Sequence, residues 1–153
     1  MRMAGRLVHS VVRALDKVAA LRSNGKPEGS VAPHQLTGKR GEEDAYFYLR
    51  RAGYVIVARN FRVPRRRGEI DLIGWDGDTL CFIEVKTRTS HEVKPAEAAV
   101  DAAKRRELRI MANEYLRHLR HTPAWRFDIV SVYYEHNVAL PEFELFKNAF
   151  GLS

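Results

Sequence analysis

Residues 68–88, GEIDLIGWDGDTLCFIEVKTR, constrain the fold more than any other segment of this chain. Two alternating apolar runs flank a turn of Asp and Gly, and this pattern is typical of an antiparallel β-hairpin. If the turn is centred on Gly77 and Asp78, Asp71 lies directly opposite Glu84. The hairpin therefore predicts two carboxylates as neighbours on one face of a sheet.

Two opposed carboxylates need a cation, because Cβ atoms of directly opposed strand residues are only about 4.5–5.5 Å apart. Oxygen ligands favour Mg²⁺ or Mn²⁺ over zinc, for which Cys and clustered His ligands are missing. Alternation places Lys86 on the same face as Glu84, and the same register places Glu69 opposite Lys86. Lys86 could then orient or deprotonate an attacking water. A turn shifted by one residue would instead direct Asp71 away from Glu84.

A simpler interpretation makes the same charged residues an exposed, salt-bridged strand face, which is a common arrangement. Their neighbours argue against it, because apolar residues fill both faces of both strands: Ile70, Leu72 and Ile73 in one, Phe82, Ile83 and Val85 in the other. A strand that is buried on both faces should not carry unpaired charges. The pattern favours a metal-dependent site made by Asp71, Glu84 and Lys86, with Glu69 orienting the lysine.

The rest of the chain predicts an α/β fold in which helices cover a mixed sheet. The predicted order is helix, three strands, helix, strand, followed by a short edge element. Outside the hairpin, the predicted elements are a helix at 41–53, a strand at 54–63, a long helix at 95–121, a strand at 126–135 and the edge element at 141–150.

Residues 1–37 form a basic extension that differs from the domain predicted at 38–150. MRMAGRLVHSVVRALDKVAALRS is amphipathic, and the following NGKPEGSVAPHQLTG is typical of a linker. A short or frayed helix docked on the domain is the first interpretation. An arm that contacts DNA or a membrane surface and an early start codon are the alternatives.

The charge balance favours a polyanionic partner. Lys and Arg number 26 against 19 for Asp and Glu, giving a net charge of +7 and a pI near 9.8. Cys81 is the only cysteine, so an internal disulfide is excluded and a reducing cytoplasm is expected. Cys81 lies in an apolar run and is interpreted as a buried hydrophobe. No stretch approaches the roughly 20 apolar residues that span a bilayer.

The hairpin resembles the PD-(D/E)XK signature of restriction-endonuclease-like nucleases, with Asp71 as the isolated aspartate and Glu84-Val85-Lys86 as the ExK element. Ile70 stands where that signature has proline. The chain resembles the YraN-like family of uncharacterised bacterial proteins more closely still. The matching motifs are GKRGE, YLRRAGY, ARN, GEIDLI, FIEVKTR, the later lysine helix, RFDIV and KNAF. This resemblance implies a restriction-endonuclease-like fold and similarity to archaeal Holliday-junction resolvases.

The resolvase resemblance also implies a third metal ligand on the first helix, at Glu42, with Glu43 as its adjacent competitor. An equally compatible interpretation is that Glu42 interacts favourably with the positive N-terminus of that helix.

Basic residues beside the predicted site are expected to contact phosphate groups, and the alternative is a solvated basic face. The predicted nucleic-acid-binding residues are Arg65, Arg66, Arg67, Arg88 and Lys104. His118 and His121 lie three residues apart, but with no third ligand a surface role is favoured over a metal site. Arg126 and Asp128 are predicted to form a structural ion pair, with support of the site as the alternative.

The leading functional hypothesis is a structure-selective DNA endonuclease that uses Mg²⁺ or Mn²⁺. Branched DNA as the substrate is inferred from the resolvase resemblance, and symmetric cutting of a junction would favour a homodimer. One alternative is a non-catalytic nucleic-acid-binding module on a nuclease fold. Another is a peripheral membrane protein that uses the basic first segment.

Overall fold

A single mixed sheet organises the described part of the chain, with its five strands in sequence order. The computed structural model describes residues 33–89, 100–135 and 140–151, with side chains from residue 37 onward. Its elements are α1 (Pro33–Arg51), β1 (Val55–Phe61), β2 (Ile70–Asp76), β3 (Thr79–Arg88), α2 (Ala102–Arg117), β4 (Ala124–Tyr133) and β5 (Glu142–Phe150). Only β3 and β4 pair in parallel, and α2 lies in the crossover between them.

The β2–β3 hairpin has the predicted register. Its pairs run from Asp76 opposite Thr79 to Leu72 opposite Ile83, around a turn in which Gly77 has φ +58°. Glycine accepts this left-handed conformation without the steric penalty of a side chain. The next pair in the same register would be Asp71 and Glu84.

Both faces of the sheet are buried, and a separate apolar core forms on each. On one face, Leu108 and Met111 of α2 belong to a cluster that includes Phe82 and Ile129. On the other face, Leu49 of α1 belongs to a cluster that includes Ile83 and other strand residues. The charged residues in β2 and β3 are therefore exceptions within strands that are otherwise packed on both sides.

The boundaries of three elements differ from the predictions. α1 begins at Pro33 rather than at residue 41, so residues 33–37, predicted as linker, are helical. Proline suits the first turn of a helix because an amide hydrogen is not needed there. α2 begins at Ala102, where Asp101 caps it by accepting a hydrogen bond from the Lys104 backbone N–H at 2.8 Å, and the part of the predicted helix at 95–99 lies outside the described residues. β5 is a full nine-residue strand.

The predicted mixed α/β class is confirmed, with β5 as an additional paired strand. The predictions for residues 1–32 fall outside the described residues. Among the helices that are described, none has the length and apolar character required to cross a membrane.

Candidate active site

Asp71 and Glu84 lie on adjacent strands, and both are largely buried, with 8% and 5% of their surface exposed. Asp71 follows the first residue of β2, and Glu84 lies in the middle of β3. The Asp71 Oδ2 atom accepts a hydrogen bond of 2.7 Å from the Val85 backbone N–H. The Asp71 carboxylate thus accepts a hydrogen bond from the backbone of β3 just beyond Leu72 and Ile83, the last backbone pair of the hairpin.

The environment of Asp71 disfavours its negative charge. Burial, and after it the charges of Glu84 and Glu42, together raise the pKa of this carboxyl from 3.8 to about 8, against the lowering effects of the Val85 N–H and Lys104. The site therefore has a local excess of negative charge that a bound cation would relieve.

Two lysine ammonium groups approach Glu84 from different elements. Lys86 Nζ donates a hydrogen bond of 2.8 Å to Glu84 Oε1, as expected for residues on one face of β3. Lys104 Nζ, from α2, lies 3.7 Å from Glu84 Oε2. That oxygen is buried and accepts no hydrogen bond from any of the described residues. The sequence predicted Lys104 as a phosphate contact and did not indicate its position beside Glu84.

Glu69 does not orient Lys86 as predicted. Its carboxylate pairs with Arg62, with an Arg62 Nη2 to Glu69 Oε2 distance of 2.7 Å. The physical reason is that β2 begins only at Ile70, so the hairpin register does not extend to Glu69. The Glu69 backbone carbonyl instead accepts a hydrogen bond of 3.4 Å from Lys104 Nζ.

Glu42 lies on α1 near enough to Asp71 to raise its pKa. Its Oε2 atom accepts a hydrogen bond of 3.1 Å from Asn60 Nδ2 at the end of β1. Glu42 also lines a cavity of about 390 Å³ together with Gly38, Val85 and residues of the β3 end. Its assignment as a metal ligand stays a prediction.

The donor set fits a hard divalent cation better than zinc. One buried oxygen of Glu84 has no hydrogen-bond donor, and Asp71 is charged only at a cost. Within the described ranges, no group of three His, Cys, Asp or Glu side chains converges to hold a metal. Mg²⁺ commonly uses one or two carboxylates and completes its coordination with water and phosphate oxygens. Asp71 and Glu84 can supply those two carboxylates.

Beside these carboxylates lies a cavity of about 370 Å³, named here the arginine cavity. Its walls include Arg65, Arg66, Arg67 and, from α2, Arg106, Ile110 and Met111. The four guanidinium groups make no hydrogen bond or ion pair within the described structure. Three of these arginines were predicted to bind nucleic acid, and the structure places them together with a fourth.

Arg88 differs from the other predicted phosphate contacts because it is buried, with only 8% of its surface exposed. Its Nε and Nη2 atoms have no hydrogen-bond partner in the described structure. Arg88 ends β3 and lies two residues beyond Lys86. Burial of an arginine whose guanidinium atoms lack partners costs folding free energy unless an anion pairs with it.

A second charged cluster lies on the other face of the sheet, around the fully buried Asp128. Asp128 accepts hydrogen bonds from Tyr54 Oη at 3.1 Å, Arg126 Nε at 2.8 Å and the Asn148 backbone N–H at 2.8 Å. Arg126 also pairs with Asp76 at 2.6 Å. The predicted Arg126–Asp128 ion pair is confirmed, and every carboxylate in this cluster has donors.

Cys81 and His118 take the structural roles that were predicted. Cys81 is fully buried, and burial raises the pKa of its thiol to about 12. His118 is exposed and caps the C-terminus of α2, with its Nδ1 atom 2.8 Å from the Glu114 carbonyl oxygen. Neither residue contributes to the site.

The family model that matches this chain is described as "Uncharacterised protein family UPF0102" and covers residues 41–132. A UPF0102 protein of Koribacter versatilis is 51% identical over 142 residues, which is 93% of both chains. A UPF0102 protein of Solibacter usitatus is 48% identical over 116 residues, covering 74% of this chain and 84% of the relative.

The Koribacter similarity reaches into the basic extension, because a match of 142 among 153 residues includes at least 26 of residues 1–37. The YraN-like resemblance is confirmed by these matches. The chain therefore belongs to the uncharacterised protein family UPF0102.

Proposed function

We propose that this protein is a metal-dependent nuclease that hydrolyses phosphodiester bonds in DNA. The observation that carries the proposal is the buried pair Asp71 and Glu84, in which one carboxylate oxygen has no hydrogen-bond donor and the pKa of Asp71 is strongly raised. Strongly perturbed carboxyl groups beside cationic side chains are typical of catalytic sites.

Asp128 is the internal comparison that separates this pair from a structural cluster. Asp128 is more deeply buried than Asp71, yet it accepts three hydrogen bonds and pairs with Arg126. The fold thus neutralises a carboxylate on one face of the sheet and leaves the pair on the other face incompletely satisfied. A ligand that supplies a further cation would explain a buried carboxylate pair that its described neighbours satisfy only in part.

Asp71 and Glu84 would hold Mg²⁺ or Mn²⁺, with Glu42, whose charge also raises the pKa of Asp71, as the candidate third carboxylate. The ion would polarise a phosphoryl oxygen and lower the pKa of water. In hydrolysis, a water oxygen bonds to phosphorus, one bridging P–O bond breaks, the water loses a proton and the departing oxygen gains one. Lys86 would orient the water and stabilise the negative charge that develops on the phosphate.

The test is cleavage of labelled duplex, single-stranded, flap and four-way-junction DNA with Mg²⁺, with Mn²⁺ and with EDTA. Asp71→Asn and Lys86→Met should each lower cleavage at least about 100-fold. Glu42→Gln should lower it as well, while Glu43→Gln on the adjacent exposed position should not. Cutting that persists in EDTA or in Asp71→Asn would overturn the proposal.

Four-way junctions and flaps are included because the resolvase resemblance makes branched DNA the first substrate to test. A symmetric cut in a junction requires two active sites, so a nuclease of this kind should act as a homodimer. Sedimentation with and without junction DNA measures this directly.

One observation favours a second candidate, a nucleic-acid-binding module without catalysis. Lys86 and Lys104 already place two positive charges beside Glu84, and these charges reduce the need for a metal ion. Tight DNA binding without cutting under any metal condition, unchanged in Asp71→Asn, would support this candidate.

A further inference from the structure

The arginine cavity combines free positive charge with an apolar wall. The side chains of Arg65, Arg66, Arg67 and Arg106 form no hydrogen bond or ion pair within the described residues, although all four surround one concave space. The only acidic residue in its lining, Glu107, is paired with Lys104 at 3.4 Å. The cavity is therefore strongly positive and open to an anion.

Its apolar wall is formed by Ala103, Ile110 and Met111 on α2. Met111 is almost fully buried, whereas Ile110 keeps 39% of its surface exposed. An apolar wall has no use in binding phosphate alone, but an aliphatic side chain can make van der Waals contact with the face of a nucleobase. The cavity thus offers contacts both to phosphate and to a base.

The cavity is connected to the carboxylate pair through one lysine. Lys104 Nζ approaches Glu84 at 3.7 Å and Glu107 at 3.4 Å, so it lies between the candidate active site and the cavity. Glu107 also packs against Gly68, where an added Cβ would come within 1.6 Å of Glu107 Oε1. Gly68, with φ +88°, thereby lets the loop that carries Arg65, Arg66 and Arg67 lie close to α2.

The volume of the arginine cavity limits the size of the ligand that it can hold. About 370 Å³ is near the lower end of the roughly 300–1,000 Å³ range of small-molecule sites, which suits one nucleotide and not a length of duplex. A duplex keeps its bases stacked and presents mainly phosphate and sugar outside its grooves. Only an unpaired nucleotide can use the phosphate contacts and the apolar wall together.

We propose that the arginine cavity binds one unpaired nucleotide of the substrate strand beside the cleaved bond. The substrate class is then nucleic acid that contains unpaired nucleotides at the cleavage point, such as a single strand, a flap or an open junction. This inference rests on the proposed function and names the substrates that the site prefers.

Fluorescence anisotropy in EDTA tests the proposal without any cleavage, using a labelled 15-nucleotide single strand and the corresponding duplex. Ile110→Ala leaves the net charge unchanged and removes the apolar contact, so it should weaken single-strand binding about fivefold and duplex binding less than twofold. Arg106→Ala should weaken both. Leu140→Ala and Arg120→Ala, at exposed positions outside the cavity lining, are the matched controls and should change neither.

Thermal unfolding of Ile110→Ala checks that the variant folds, and Ile110→Leu, which keeps an apolar contact, should retain most of the single-strand binding. Equal effects of Ile110→Ala on both DNA forms, or no effect on either, would overturn the inference while leaving the proposed nuclease intact. Failure of the wild type to bind or cut any DNA would instead overturn the proposed function. Binding of polyglutamate as tightly as the single strand would also count against a nucleotide site.

Discussion

Asp71→Asn should stabilise the metal-free protein at pH 8 and have little effect near pH 4. The folded state raises the pKa of Asp71 from 3.8 to about 8, mainly by burial and then by the charge of Glu84. The folded state therefore binds this proton more tightly than the unfolded chain, so stability must fall as the pH rises between these two values. Asparagine keeps the shape and an acceptor for the Val85 N–H, and it removes the charge.

The size of the stabilisation by Asp71→Asn follows from the same two pKa values. Each pKa unit corresponds to about 1.4 kcal/mol, so the rise from 3.8 to about 8 sets an upper limit near 6 kcal/mol. Water penetration and relaxation reduce such values, because effective dielectric constants in proteins are close to 20. Asparagine also exchanges a charged hydrogen bond for a neutral one, a loss of about 1 kcal/mol. A net gain of about 2 kcal/mol at pH 8 is expected.

Urea denaturation in EDTA at pH 4.5, 6 and 8 measures this gain, with Asp78→Asn in the exposed hairpin turn as the control. The difference between Asp71→Asn and wild type should grow from near zero at pH 4.5 to about 2 kcal/mol at pH 8. The control should show no such trend. A variant that is less stable than wild type at pH 8, or a difference independent of pH, would refute the reasoning about this carboxylate pair.

Three further predictions concern the metal and the packing around the site. Mn²⁺ at ten times its dissociation constant should stabilise the wild type by about 1.4 kcal/mol, which raises its melting temperature by about 4 °C. The same Mn²⁺ concentration should not stabilise Asp71→Asn, and equal shifts in melting temperature for both proteins would show that the ion binds elsewhere. Gly41→Ala should destabilise the protein by about 2 kcal/mol, because the added Cβ would lie 1.9 Å from Thr87 Oγ1. Gly38→Ala is the control and should stabilise the helix slightly, because no atom lies within 4 Å of its added Cβ. Thermal unfolding compares the two variants, and similar shifts in melting temperature would contradict the predicted clash at Gly41. Tyr54→Phe removes its hydrogen bond to the buried carboxylate of β4 and should cost about 1–2 kcal/mol in urea denaturation, with or without metal.

The hairpin was predictable because its information is local. Turn chemistry at Gly77 and the two-residue period of the strands fixed the register, and the register fixed which carboxylates meet. The same rule failed at Glu69, because a register applies only within a paired strand and β2 begins one residue later. The start of α2 is also set locally, because Asp101 caps this helix at Ala102.

Contacts between distant segments were not predictable from pattern. The approach of Lys104 to Glu84 depends on how α2 is rotated over the sheet, which the basic residues of that helix do not indicate. The hydrogen bond between Tyr54 and Asp128 joins residues 74 positions apart. Both pairs depend on the helix–sheet geometry that the tertiary fold sets.

The burial of the only thiol makes this protein suitable for site-specific labelling. Since Cys81 is inaccessible and its pKa is raised to about 12, maleimide reagents at neutral pH should leave it unmodified. A cysteine introduced at Arg120 would then be the one reactive position, and a fluorophore there could test for DNA binding without a background from the native thiol.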